Sequence, residues 1–226
     1  ARLADVTATG HDALKDANIA LKLAKKNRRG GFVMFSAQMG ADIRERVRLL
    51  QALRHAVESE RLFVVYQPQV NLVSGQLVGV EALIRWRNED GSFVPPDRFI
   101  PLAEASGMIV AIGDWVLRVS CMELSRLQAL GMPDLRMSVN VSQIQFRHPG
   151  FLDKLRSALS DTGINPKCLE LEITESVAMD DPDFMLETLH KVRKMDISIA
   201  IDDFGTGYSS LSHLRQLPID RLKIDR

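Results

Sequence analysis

The hydrophobic pattern of the 226-residue chain alternates between two periods. Short runs of consecutive apolar residues, many of them β-branched, are typical of buried strands, whereas apolar residues that recur every three or four positions are typical of amphipathic helices. The first pattern predicts six strands in the larger, carboxyl-terminal part of the chain: Leu62–Gln67, Leu77–Trp86, Arg136–Val141, Leu169–Thr174, Ile197–Asp203 and Arg221–Asp225.

Helical patterns separate most of these strands. Because buried-type strands joined by helices form parallel sheets, the alternation predicts an α/β fold with helical crossovers. The first two strands are joined by a short turn at Ser74-Gly75 and are therefore predicted to pair antiparallel. The predicted helices are Phe99–Ala105 (opened by Pro95-Pro96-Asp97 and stopped at Gly107), Asp114–Leu130, Phe151–Leu159, Pro182–Met195 and Ser209–Leu217.

The first 60 residues have a different organisation. An amphipathic helix is predicted from Asp12 to Lys26, followed by a short strand, Phe32–Phe35, and a second amphipathic helix from Ala41 to Glu60. One helix and one strand cannot close a core, so the segment before Ala41 is interpreted as the tail of a larger unit.

Composition narrows the classes of function. The chain has 46% hydrophobic residues and a formal net charge of +0, which is ordinary for a globular protein and argues against a nucleic-acid polymer or a membrane surface as partner. A small anionic ligand stays compatible with this balance. Cys121 and Cys168 lie far apart without metal-ligand spacing, so we expect buried free thiols and a cytoplasmic protein.

Polar residues recur where apolar strands are expected, and from Asn140 onward they lie towards the carboxyl ends of successive strands. Parallel α/β barrels build their sites on that face. Each residue has a structural alternative: Asp202-Asp203 as a solvated turn, Asn140 as a backbone partner, Lys223 as a strand-end cation. The Glu, Asn and Asp side chains supply hard oxygen ligands suited to Mg²⁺ or Mn²⁺, and together with the cations they indicate metal-assisted phosphoryl chemistry. The set is Glu81, Arg85, Asn140, Glu172, Asp202, Asp203 and Lys223.

Several motifs recur in a fixed order along the chain: Tyr66-Gln67-Pro68, Glu81-Ala82-Leu83, Asn140-Val141-Ser142, Leu171-Glu172-Ile173-Thr174-Glu175, the Asp202–Ser210 segment and Leu222-Lys223-Ile224-Asp225. Together they resemble one family, the EAL-domain cyclic di-GMP phosphodiesterases, whose fold is a modified TIM barrel with an antiparallel first strand. The shorter segment Asp16-Ala17-Asn18-Ile19-Ala20-Leu21 with Ala24-Lys25 and Phe35 resembles the end of a GGDEF domain. The implied division is residues 1–40 as a GGDEF-like remnant, 41–60 as a linker helix and 61–226 as the EAL-like domain.

The resemblance implies a role for each matching residue. The reaction would be two-metal hydrolysis of one phosphodiester bond, which opens cyclic di-GMP to linear pGpG. Lys223 matches a lysine near the attacking water, and Glu175 matches a glutamate that organises the Asp-Phe-Gly-Thr-Gly loop. Gln67 and Arg85 match substrate-contacting positions. The implied metal ligands are Glu81, Asn140, Glu172 and Asp202, with Asp203 at the second metal.

The resemblance also raises an expectation about completeness. The family pattern continues past the Lys223 strand to a further catalytic glutamate, whereas this sequence ends at Arg226, and six strands are fewer than the eight of a closed barrel. We therefore expect a longer natural protein. An inactive receptor that binds cyclic di-GMP stays open as an alternative to the enzyme, and a homodimer is an expectation from the family alone.

Overall fold

The computed structural model describes residues 10–27, 32–179, 181–205 and 216–224. The chain divides into two compact units, with the boundary between His55 and Ala56. The predicted helix Ser209–Leu217 lies largely outside the described residues.

The first unit contains helix α1 (Gly10–Asn27) and most of helix α2 (Ala37–Glu58), which confirms both predicted helices. The predicted strand Phe32–Phe35 is wrong, because residues 32–36 have no regular secondary structure. Phe32 and Met34 are 88% and 70% exposed, and none of the described strands pairs with this segment. A β-type sequence forms a strand only where a partner can accept its backbone hydrogen bonds.

The second unit is built on one mixed sheet with the strand order β1-β2-β4-β5-β6-β7, in which β3 pairs with β2. The first pair is antiparallel and the pairs from β2–β4 to β6–β7 are parallel, as predicted. All six predicted strands are present, and β3 is an unpredicted two-residue addition. The strands are β1 (Leu62–Val70), β2 (Leu77–Arg87), β3 (Phe93–Val94), β4 (Arg136–Asn140), β5 (Leu169–Thr174), β6 (Ser198–Phe204) and β7 (Arg221–Ile224).

Helices connect the parallel strands. Gly107, in the left-handed region at φ 77°, ends α3 and precedes α4, which therefore begins earlier than the predicted Asp114. No individual helix in the described ranges has the length and apolarity to cross a membrane; α3 and α4 together meet that test, but they are bent by 118°. The helices are α3 (Pro96–Ser106), α4 (Met108–Ala129), α5 (Gln143–Phe146), α6 (Phe151–Thr162), α7 (Glu175–Met179) and α8 (Pro182–Arg193), with a 3₁₀ turn at Pro166–Cys168.

The strands separate an apolar face from a polar face. In β5, Leu169, Leu171 and Ile173 alternate with Glu170 and Glu172, and all five are almost fully buried. Each buried apolar side chain stabilises the fold by about 1.5–3 kcal/mol, and the polar residues collect on the opposite face of the sheet. The two cysteines are buried and free, as predicted, and burial raises the pKa of Cys121 to about 12.

One close contact fixes the loop that follows β4. Gly113 of α4 lies against the side chain of Gln145 on α5, so that a Cβ at position 113 would overlap the Gln145 amide. Gln145 forms a capping box with Ser142: the Ser142 N–H donates to Gln145 Oε1 at 3.2 Å, and the Gln145 N–H donates to Ser142 Oγ at 3.3 Å. The absence of a side chain at Gly113 leaves room for Gln145, and Gln145 in turn holds the turn that follows Asn140 through the capping box.

We predict that Gly113→Ala lowers the free energy of unfolding by about 1–3 kcal/mol, the usual cost of overpacking. A decrease in the free energy of unfolding would be informative, because helix propensity alone would make alanine more stable than glycine at this position by about 1 kcal/mol. Urea unfolding measures the effect. In a Gln145→Ala background the overlap is absent, so Gly113→Ala should there be neutral or stabilising. Stabilisation in the unaltered background would contradict the contact.

Candidate metal and phosphodiester site

Five strands bring polar side chains to one edge of the sheet. The parallel register pairs Asn140 with Glu172 and Thr174 with Asp202, so these residues stand at similar heights along neighbouring strands. The carboxyl ends of parallel strands form the functional face of barrel folds. The residues that meet there are Glu81 of β2, Asn140 of β4, Glu172 of β5, Asp202 of β6 and Lys223 of β7.

Lys223 holds the centre of this cluster. Its Nζ lies 2.6 Å from Glu172 Oε2, 3.1 Å from Glu81 Oε2 and 3.2 Å from Asp202 Oδ2. Asn140 Nδ2 donates a hydrogen bond to the other oxygen of Glu81 at 2.8 Å. Three carboxylates thus surround one ammonium group, which can donate three hydrogen bonds.

The electrostatics of the cluster follow from burial. Burial raises the pKa of Glu172 to about 7, with the negative charges of Glu81 and Asp202 adding to the effect and the hydrogen bond from Lys223 opposing it. For Lys223, burial lowers the pKa, but the hydrogen bond and charge of Glu172 and the charge of Glu81 outweigh it, so the net pKa is raised. One ammonium therefore compensates only part of the negative charge.

The donor set fits a hard divalent cation. Oxygens of Glu81, Glu172 and Asp202 lie within 4.8 Å of one another, and Glu172 Oε1 is buried without a hydrogen-bond partner among the described residues. A buried carboxylate oxygen without a donor is costly. Carboxylate and amide oxygens are the ligands that Mg²⁺ and Mn²⁺ prefer. The acidic cluster is therefore a site that could bind a metal ion.

Asp203 and Glu175 lie on the segment beside this cluster. The backbone of Asp203 has a positive φ of 54°, an uncommon conformation for a residue other than glycine, and its N–H donates to Asp202 Oδ1 at 3.0 Å. Its carboxylate is not part of the three-carboxylate group. Buried Glu175, the first residue of α7, accepts a hydrogen bond from the Gly205 N–H at 2.9 Å. This bond fixes the start of the glycine-rich segment; residues 206–210 lie outside the described ranges.

The two predicted substrate-contacting residues lie on the first hairpin. Gln67 of β1 stands opposite Glu81 in the antiparallel register. Arg85 lies four residues further along β2, on the same face as Glu81, and its Nη1 donates to the carbonyl of Ile84 at 2.8 Å. A cavity of about 280 Å³ runs from Asn140 and Glu172 past Arg85 and beneath α3 and α4. It gives a ligand at the acidic cluster an adjoining, largely apolar space.

A second polar layer lies below the cluster, and the sequence analysis missed it. Glu170 is 1% exposed; it pairs with Arg136 at 3.3 Å and with Arg221 at 3.2 Å and accepts a hydrogen bond from Ser138 at 2.9 Å. The sequence contained a signal for this layer, because Glu170 and Glu172 are two residues apart and therefore share a face of β5. Unlike Glu172, which pairs with one cation, Glu170 pairs with two, Arg136 of β4 and Arg221 of β7.

Comparison with known proteins agrees with this geometry. The bifunctional diguanylate cyclase/cyclic di-GMP phosphodiesterase MucR of Pseudomonas aeruginosa is 43% identical over 218 residues, which are 96% of this chain and 32% of MucR. The cyclic di-GMP phosphodiesterase NbdA of the same species is 40% identical over 215 residues, covering 95% of this chain and 28% of NbdA. The chain thus spans no more than about a third of the length of these two relatives.

A solved structure described as the PaMucR phosphodiesterase in complex with c-di-GMP superposes with a TM-score of 0.76 at 45% identity, covering 79% of this chain and 72% of that one. The likeness confirms the predicted fold class, an α/β modified TIM barrel with an antiparallel first strand. The family model described as the EAL domain matches residues 50–226. The match takes in both the sheet and the acidic cluster on it, and the chain belongs to the EAL domain family.

Proposed function

We propose that this protein is a metal-dependent phosphodiesterase that hydrolyses cyclic di-GMP to linear pGpG in bacterial second-messenger signalling. The observation that carries the proposal is the convergence of three carboxylates, an amide and a lysine from five neighbouring strands on one face of the sheet. Membership of the EAL domain family and the phosphodiesterase activity in the names of MucR and NbdA support it.

The proposed cofactor is a pair of Mg²⁺ or Mn²⁺ ions. Glu81, Asn140, Glu172 and Asp202 would hold the first ion, and Asp203 would reach the second. Such ions lower the pKa of a bound water and stabilise negative charge on an attacked phosphate. The three carboxylates outnumber the one ammonium group in this cluster, and this excess of negative charge is the reason for the chain to take up cations here.

The other side chains have roles that follow from their chemistry. Lys223 is a three-donor cation among the carboxylates of the cluster, so it suits the orientation of a nucleophilic water rather than the removal of its proton. Arg85 offers a guanidinium fork, which matches a phosphate in geometry and charge, and Gln67 can hydrogen-bond the same ligand from β1. Glu175 would hold the glycine-rich segment through Gly205.

We also propose that residues 1–40 are the carboxyl-terminal remnant of a GGDEF-like domain, that residues 41–60 form a linker helix and that residues 61–226 are the phosphodiesterase domain. The similarity to MucR, whose name includes diguanylate cyclase, extends over 96% of this chain and therefore beyond the EAL match. Helix α1 supplies the helical part of the resemblance.

The test of the proposed function is incubation of the purified protein with cyclic di-GMP and Mn²⁺, with the products separated by chromatography. We predict pGpG as the product and a loss of more than about one-hundred-fold in rate for Glu172→Gln and Asp203→Ala, because the first removes the negative charge of a proposed metal ligand and the second removes the ligand itself. Glu187→Gln, on the exposed face of α8 where Glu187 pairs with Lys191 at 2.7 Å, is the matched control.

Full activity in either ligand variant, or unimpaired turnover after chelation of divalent ions, would overturn the metal assignment. Binding of cyclic di-GMP without any product would favour the receptor over the enzyme.

A second prediction concerns the metal-free protein. Lys223→Met should lower the free energy of unfolding by about 3 kcal/mol, because it removes the cation from a partly buried group of carboxylates. Added Mn²⁺ should then stabilise this variant more than the unaltered protein, since the ion supplies the missing positive charge. Thermal unfolding with and without Mn²⁺ measures both effects.

Lys154→Met is the control for that measurement, because Lys154 is 61% exposed and lies 3.8 Å from Asp114, a surface pair of little energetic weight. Equal stability of Lys223→Met and the unaltered protein would show that the ammonium does not offset the carboxylate repulsion.

A further inference from the structure

Strand β2 carries a line of side chains that begins at the acidic cluster and continues outward. Because side chains alternate along a strand, Glu81, Leu83, Arg85 and Arg87 share one face. Glu81 belongs to the cluster, so this is the face of the site. Arg87 ends the strand and is exposed. At about 3.3 Å per residue it stands about 20 Å along the strand from Glu81 and about 7 Å beyond Arg85.

Two aromatic rings flank Arg87 on that face. Phe63 of β1 is paired with Arg85, and Phe93 of β3 is paired with Arg87 itself, and directly paired residues present their side chains to the same face. The ring centroids are 6.1 Å apart and the rings are inclined by 57°. Arg87 Cζ lies 5.3 Å from the Phe63 centroid and 5.6 Å from the Phe93 centroid, within cation–π range of both.

Burial in the core explains the position of β3 but not the exposed contact between Phe93 and Arg87. Val94, the other residue of β3, is buried at 7% exposure, whereas Phe93 is 60% exposed, so Val94 anchors the short strand and the Phe93 ring stays in solvent. An exposed cation–π contact contributes only about 0.5–1 kcal/mol. Among the described residues, the neighbouring Arg61 pairs with Glu89, but Arg87 has no carboxylate in an ion pair. Its charge and the open ring are therefore available to a ligand.

We propose that Arg87, Phe63 and Phe93 form a subsite for a purine base at the end of β2, beyond Arg85. The inference rests on the proposed function and names the part of the substrate involved, which is one of its two guanine bases. The exposed aromatic ring offers a stacking surface, which every base can use. The guanidinium fork matches the O6 and N7 acceptors of guanine, which adenine does not reproduce because it carries an amino group in place of O6.

The test compares Arg87→Ala and Phe93→Ala with the unaltered protein in steady-state hydrolysis of cyclic di-GMP and in calorimetric titration with it. Both variants should raise KM and Kd between about five-fold and one-hundred-fold, the range for loss of one stacking or bidentate base contact. The value of kcat should change by less than about two-fold, because the contact lies away from the reacting bond. Arg156→Ala, an exposed arginine of α6 that pairs with Asp153, is the matched control.

A comparison of two dinucleotides that differ in their bases shows whether Arg87 recognises guanine or only supports the local structure. Arg87→Ala should weaken cyclic di-GMP much more than it weakens cyclic di-AMP, and Arg87→Lys, which keeps the charge but lacks the fork, should recover only part of the affinity. An unchanged KM and Kd in Arg87→Ala and Phe93→Ala, or an equal loss for both dinucleotides, would overturn the subsite while leaving the proposed function in place. Failure of the unaltered protein to bind or hydrolyse cyclic di-GMP would overturn both.

Discussion

The ammonium of Lys223 among three carboxylates is the interaction on which the site depends. Glu81, Glu172 and Asp202 come from three different strands, and like charges at such close range would separate in the absence of a compensating cation. Lys223 arrives on β7, the last strand of the sheet path. The position of that short strand therefore decides whether the carboxylates stay together. The geometry of the site thus depends on the register of all the strands that contribute to it.

The register of β7 is itself fixed by polar contacts at the other end of the strand. Asp220, immediately before β7, accepts a hydrogen bond from the Ile199 N–H at 2.9 Å and pairs with Arg193 at 2.8 Å. Arg221 reaches Glu170 in the second polar layer. A β-strand displaced by one residue would turn its side chains to the opposite face, so these contacts keep Lys223 directed at the cluster.

The two polar layers explain why the polar face of the sheet tolerates so many charges. In the lower layer Glu170 meets Arg136, Arg221 and Ser138. In the upper layer the three carboxylates of Glu81, Glu172 and Asp202 share the one ammonium of Lys223. One carboxylate oxygen in each layer, Oε2 of Glu170 and Oε1 of Glu172, is buried without a hydrogen-bond partner in the described part of the chain, so the layers differ in their balance of charge. On the same face of β5, Glu170 thus pairs with two arginines, whereas Glu172 shares one lysine with two other carboxylates. That difference, rather than burial alone, marks the upper layer as the place for a metal ion.

The sequence predicted the parts of this structure that depend on local pattern. The six main strands, the antiparallel first pair and the helical crossovers follow from periodicity and turn length, and residues at successive strand ends could be expected to meet. The strand at residues 32–35 was wrong because its pattern carries no information about a partner. Helix α5 and the Gly113–Gln145 contact were missed because their cause is the close approach of two helices, although Ser142 and Gln145 have the spacing of a capping box.

The contacts of Arg136 and Arg221 with Glu170 could not be predicted from the sequence for a related reason. Arginines at strand starts resemble solvent-exposed residues in a sequence, and only the sheet register places both beside Glu170. The roles of Gln67, Arg85, Asp203 and Glu175 came from the family resemblance rather than from pattern. The structure places them around the cluster, and their roles stay predictions.

Manganese titration followed by electron paramagnetic resonance tests the central claim most directly, because it detects the ion independently of any substrate. The account predicts that the unaltered protein binds Mn²⁺ and that a folded Glu172→Gln, Asp202→Asn double variant does not. Undiminished Mn²⁺ binding by the double variant, or no binding by the unaltered protein, would contradict the assignment of this cluster as the metal site.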